Sequence, residues 1–145
     1  MSDIDTFFSR ANELLERLEK KLPVDKELLQ LNSASANRWR KDNGKPRFQE
    51  VKQLSKISLD DLQCLERQKQ AITQNTRQFL NALPANNVLL WGPRGTGKSS
   101  LIKATLNEFK DEGLRLIEVE RQHLVDLPDI SEVLYQQEGR FIIYC

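Results

Sequence analysis

Eight consecutive residues carry the plainest chemistry in this sequence. Gly92-Pro93-Arg94-Gly95-Thr96-Gly97-Lys98-Ser99 matches the spacing G-x-x-x-x-G-K-S/T at every fixed position. The glycines let the backbone curl and approach an anion with no Cβ in the way. A curled backbone aims successive N–H groups inward and makes a concave site for phosphate oxygens. A helix opening at Lys98 adds the positive end of its dipole to the same place. Lys98 can then reach the β- and γ-phosphates as a point charge, and the Ser99 hydroxyl can ligate Mg²⁺. Pro93 has no N–H, so the donors come from Arg94 onward, and Ser100 joins the candidate binding residues at the helix start. The chemistry implied is binding of ATP, or a closely related nucleoside triphosphate, with Mg²⁺ at residues 92–100 and Ser99 as the metal ligand.

No other group of residues reaches that specificity. His123 is the only histidine, so no histidine-based metal site or catalytic triad can be assembled within the chain. It is expected on the surface near a turn. Cys64 and Cys145 lie far apart and share no metal-ligand spacing with His123, which reads as two reduced thiols. Glu118 and Glu120 close a strand pattern, and the carboxyl ends of parallel strands are where ligands bind. Solvent-facing strand side chains are nevertheless the plainer expectation for both.

A phosphate loop needs a strand before it and a helix behind it, and the flanking residues carry both patterns. Val88-Leu89-Leu90-Trp91 is a short apolar run of the kind buried on both faces in a parallel sheet. A helix is expected over residues 98–110, ending near Gly113. Residues 114–119 form a second strand pattern, 127–137 contain a short helix, and Phe141-Ile142-Ile143-Tyr144 is a third strand. Strands alternating with helices argue for an α/β domain with a parallel sheet. Upstream, Ser58 and Asp61 have the spacing of a capping pair. The helix they would open runs to about residue 82, with Leu62, Leu65, Ile72, Phe79, Leu80 and Leu83 as its stripe, until Pro84 stops it.

The N-terminal third is different in character. Ile4, Phe7, Phe8, Ala11, Leu14, Leu15, Leu18 and Leu22 recur at helical spacing over residues 3–22, and Pro23 ends the pattern. A second short helix is expected over 25–31. The two helices either pack on the main domain or form an arm for a protein partner. Residues 33–48 contain Asn43-Gly44 and Pro46 and read as a loop or linker. That stretch sets Arg38, Arg40, Lys41, Lys45 and Arg47 against Asp42, and carries Trp39 and Phe48. Cations interleaved with aromatics can hold phosphates and stack bases, so nucleic acid is a weaker candidate partner. A solvated linker, or an intramolecular contact for Trp39, is the plainer reading. The expected division is a helical arm at 1–32, a basic linker at 33–56 and the start of a P-loop ATPase domain at 57–145.

Composition narrows the class further. Hydrophobic residues make up 39% of the 145 and charged residues 30%, which fits a globular protein rather than a disordered or membrane-spanning one. The N-terminus lacks the basic and apolar regions of a secretory signal, and a cytoplasmic location is expected. A formal net charge of +1 argues neither for nor against a polyanionic partner.

The stretch from residue 57 to 145 resembles the AAA+ class of P-loop ATPases, and is similar to a bacterial family of ATP-binding proteins within it. The resemblance is carried by SLDDLQCLERQKQAITQNTRQFL, PANNVLLWGPRGTGKSSLIKATLNEF, GLRLIEVERQHLVDLPDI and RFIIYC, the second being the most specific. It implies a nucleotide-binding sheet with adenine cradled near residues 60–65, although AAA+ proteins often carry glycine where Cys64 stands. It also implies acidic residues after the strand at 141–144 that hold the Mg²⁺ shell and activate water. Those positions fall beyond Cys145, as do the later strands, the sensor, the arginine finger and the lid. In the strand order usual for the class, the 88–91 strand pairs with a fourth strand absent from this sequence.

The expected fold is therefore an α/β, AAA+-like P-loop NTPase core, incomplete and preceded by a helical arm. The expected function is ATP hydrolysis by the full-length protein, acting on a partner macromolecule, with the homo-oligomeric ring common in the class. Catalytic residues are expected beyond Cys145, and residues 1–145 alone are expected to hydrolyse ATP negligibly. A non-hydrolysing nucleotide switch is the alternative. A small-molecule phosphotransferase shares the loop, but the helix before the first strand counts against it.

Overall fold

Asn43 and Gly44 take φ of +51° and +81° and turn the chain back on itself. This two-residue turn matches the twist of the strands on either side, which is why Asn-Gly favours hairpins. In the computed structural model, which describes residues 3–19, 31 and 33–145, it joins β1 (Ala36–Asp42) to β2 (Lys45–Glu50), with Asp42 opposite Lys45. The segment expected as a loop or linker is thus a pair of strands. Its charged composition hides the pattern because only alternate residues of β1 are covered on each face. Arg38 and Arg40 find carboxylate partners in Glu118 and Glu120.

The other edge of β1 pairs in parallel with β3 (Leu114–Glu118), and β3 pairs in parallel with β4 (Arg140–Tyr144). The sheet order is β2-β1-β3-β4, and the fold is α/β with a four-stranded, mostly parallel sheet. It is consistent with an incomplete P-loop NTPase-like core.

Helices cover both faces. On one face Trp39, Ile117 and Val119 pack with Ile130, Val133 and Leu134 of α4 (Leu127–Tyr135). On the other, Ala36, Leu114 and Leu116 meet Leu106 and Phe109 of α3 (Lys98–Phe109), with Phe79 and Leu80 of α2 (Glu66–Leu80) at the margin. A short 3-10 turn and Gly113, at φ +95°, end α3 where the sequence expects it.

Trp39 is only 1% exposed and meets Phe48 edge to face at 5.1 Å. Its indole N–H donates to Asp126 Oδ2 at 2.9 Å, while Lys41 Nζ donates to Asp126 Oδ1 at 2.6 Å. A buried indole donor and a buried carboxylate thereby satisfy one another, as groups cut off from water must.

Two expected elements take other forms. Residues 88–91 form no strand: Val88, Leu89 and Trp91 are 51%, 84% and 86% exposed. A strand is made by ladder hydrogen bonds, and among the described residues no strand lies beside this run. The helix expected from 58 to 82 begins only at Glu66. Ser58 and Asp61 do form the expected reciprocal bonds, with Ser58 N–H donating to Asp61 Oδ2 at 2.7 Å. After that single turn Leu62 drops into the core against Leu101 and Ala104, and Cys64 adopts φ +61°, which a right-handed helix cannot pass through.

The first helix, α1 (Asp3–Glu19), holds an ion pair between Glu13 and Arg17, four residues apart, at 3.2 Å. Its apolar stripe does not pack on the sheet: Ile4, Phe7, Phe8, Leu14, Leu15 and Leu18 are all more than half exposed. The helix expected at 25–31 lies outside the described residues except for Leu31, which packs at the edge of the Trp39 cluster.

Removing the Trp39 side chain should therefore be costly. Trp39→Ala is expected to lower unfolding stability by about 3–5 kcal/mol in a urea titration, through the cavity and the stranded Asp126. Burial opposes ionisation of Asp126, but hydrogen bonds from Lys41 and Trp39, and the charges of Lys41 and His123, hold its carboxyl below its usual value. A folded value below the unfolded one stabilises the fold in full above roughly pH 4, and this contribution is lost as pH falls through the folded value. Asp126→Asn should flatten the acid limb of a stability–pH profile; an unchanged limb would show that Asp126 is not responsible for it.

Candidate functional site

Gly97 caps α3 from the left-handed region at φ +82°, and the helical ladder opens with Leu101 N–H donating to the Gly97 carbonyl at 2.8 Å. The N–H groups of Lys98, Ser99 and Ser100 therefore have no acceptor inside the helix. Gly92 and Gly95 add φ of +135° and +80°, so the curl expected of the glycine-rich loop is present. Gly95 opens on empty space, and its requirement is conformational alone. At Gly97 an added Cβ would also lie 3.3 Å from Leu65 Cδ1, so the residues just before α2 close against the loop.

The polar side chains of the loop turn back on it. Lys98 Nζ donates to the carbonyls of Gly92 and Pro93 at 2.9 and 2.5 Å and to Thr96 Oγ1 at 3.1 Å. Thr96 Oγ1 donates to the Pro93 carbonyl at 2.9 Å. The ammonium is thus held over the loop by weak neutral acceptors, which phosphate oxygens can replace with charge-assisted bonds. Ser99 Oγ lies 2.8 Å from the phenolic oxygen of Tyr144. This contact places the start of α3 at the carboxyl end of β4, the edge where parallel sheets bind ligands. Arg94 is exposed, and Ser100 is half-buried in the first turn of α3.

Other singled-out residues do not join this loop. Glu118 Oε2 accepts from Arg38 Nε at 2.7 Å, and Glu120 pairs with Arg40 and with Gln122. Neither glutamate is the open, solvent-facing side chain the sequence suggests. Much of the basic stretch is internally matched as well, since Lys41 is held by Asp126 and Arg47 by Asp42 at 2.5 Å. His123 is half-buried rather than on the open surface, with Nδ1 3.6 Å from Asp126. Cys64 and Cys145 are free and exposed. Sequence reasoning missed Tyr144 and Leu65 as neighbours of the loop. For Tyr144 a signal was available: the two-residue period of β4 sets it on the same face as Ile142, under α3.

The residues present fit a nucleoside triphosphate with Mg²⁺. Three glycines with positive φ shape the cradle, Leu65 crowds the place where a Cβ on Gly97 would stand, and Lys98 and Ser99 bring a cation and a hydroxyl to one turn of helix. Fold and loop together define a P-loop α/β protein. The chain belongs to the family described as "Protein of unknown function (DUF815)", whose model matches residues 32–145. It is also 32% identical over 76 residues to the replication factor C large subunit of Sulfolobus acidocaldarius, covering 52% of this chain and 17% of that protein. No solved structure matches the chain. With the loop, these matches support an affinity to the AAA+ class and to its type of nucleotide binding. Among the described residues no helix is long and apolar enough to cross a membrane.

Gly97→Ala tests the geometry without reference to any ligand. Forcing an alanine into the left-handed region should cost about 1–2 kcal/mol. The contact with Leu65 adds to this, so the thermal midpoint should fall further for Gly97→Ala than for Gly95→Ala.

Proposed function

We propose that the chain binds ATP with Mg²⁺ through residues 92–100, and that the whole protein hydrolyses ATP in the AAA+ manner to act on a partner macromolecule. The observation that carries the first part is the positive-φ glycine loop with the Lys98 ammonium suspended over it at the start of α3. Lys98 exchanges its carbonyl partners for β- and γ-phosphate oxygens. Backbone donors from Gly95 to Ser100 hold the remaining oxygens, and Ser99 offers its hydroxyl to the cation. A Mg²⁺ ion held by the Ser99 hydroxyl would supply positive charge against the phosphates.

Lys98→Ala removes charge-assisted hydrogen bonds worth about 1.5–3 kcal/mol, a 10- to 150-fold loss of ATP affinity by calorimetric titration. Unchanged affinity in that variant would refute the loop assignment. A second reading, a nucleotide-dependent switch without turnover, draws support from Glu118 and Glu120, which are committed to Arg38 and Arg40 rather than to the loop. Tight ATP binding by the full-length protein with no phosphate release would favour the switch.

A further inference from the structure

The contact between Ser99 and Tyr144 reaches beyond the phosphate loop itself. Ser99 is exposed at the second position of α3, and a serine hydroxyl there is otherwise free to rotate. Tyr144 is anchored twice. Its ring packs at the margin of the cluster formed by Ala36, Leu106, Phe109, Leu114 and Leu116, and its carbonyl accepts the Val119 N–H at 2.8 Å. The phenolic oxygen therefore stands at a fixed point, 2.8 Å from Ser99 Oγ.

We infer that Tyr144 is a positioning residue for the metal-binding hydroxyl: its oxygen accepts the Ser99 hydroxyl proton and leaves the Ser99 lone pairs free for a divalent cation. This rests on the nucleotide reading above. A hydroxyl has one proton and two lone pairs, and a cation is served only by the lone pairs. An acceptor that takes the proton sets the rotor so that the remaining lone pairs point elsewhere. A neutral phenol does this without placing another charge beside the phosphates. Because the acceptor is set by packing on the sheet, the hydroxyl is oriented before the cation arrives, and less ordering remains to be done on binding.

The test is a comparison of ATP affinity with Mg²⁺ and in EDTA, measured by calorimetry on the intact protein. Tyr144→Phe deletes one oxygen and keeps the ring. It should weaken binding about 2- to 10-fold with Mg²⁺, the range for one hydrogen bond, and leave binding in EDTA unchanged. Ser99→Ala should show a Mg²⁺-specific loss too, and the double variant should lose no more than Ser99→Ala alone. Equal loss in both media would mean a structural role only. No loss, or tighter Mg²⁺-dependent binding, would mean that Tyr144 is idle or donates to Ser99. Each of these results overturns the proposal. If Lys98→Ala also binds as tightly as the unaltered protein, the nucleotide reading fails instead.

A second measurement needs no variant. The chain has two tyrosines, Tyr135 and Tyr144, and Tyr135 is 93% exposed. The ring-carbon resonance next to the Tyr144 hydroxyl should shift with ATP and Mg²⁺ and much less with ATP in EDTA, while that of Tyr135 stays put. A Tyr144 shift that ignores Mg²⁺ overturns the proposal.

Discussion

The double pairing of β1 holds this structure together. One edge bonds antiparallel to β2 and the other bonds parallel to β3, so the strand draws a local hairpin and a distant α/β unit into one sheet. Side chains then follow the register. Alternate residues send Trp39 to Asp126 under α4 and Arg38 to Glu118 on the opposite face. Neither contact could form if the strand slipped by one residue, because every side chain would change face. Ion pairs at the surface contribute little stability on their own. Here they serve more to fix which residue stands opposite which.

The glycine loop depends on the same sheet at one remove. It connects to α3, α3 lies on the face built by Ala36, Leu114 and Leu116, and β4 supplies the tyrosine that meets Ser99. The apolar run before the loop joins no strand among the described residues, and of its four residues Leu90 alone packs against the cluster beneath α3. Further support comes from Leu65 beside Gly97 and from Leu62 beneath α3.

Features whose chemistry is local were legible in the sequence. The loop needs its glycines at fixed spacings, and they adopt positive φ as the pattern demands. The helix behind it, its stop at Gly113, and the strands at β3 and β4 follow from periodicity and punctuation. What could not be read depends on contacts between distant residues. Arg38 and Glu118 are 80 positions apart, so the cations of β1 look like a solvated run until their partners are known. Asn43-Gly44 reads in the sequence as punctuation but is the turn of a hairpin, and the charge around it obscures the alternation. Ser58 and Asp61 formed their reciprocal bonds but opened no long helix, because burying Leu62 and turning at Cys64 outweighed continuing the spiral.

The two tryptophans sit in opposite surroundings. Trp39 is sealed at 1% exposure, whereas Trp91, the residue before the first glycine of the loop, is 86% exposed. Their fluorescence should separate accordingly: blue-shifted emission shielded from iodide for Trp39, red-shifted and readily quenched emission for Trp91. The protein thus carries its own optical label beside the phosphate loop, together with an internal reference locked in the sheet. Events at the loop and loss of the fold can be followed in one cuvette, at different wavelengths, with no dye attached.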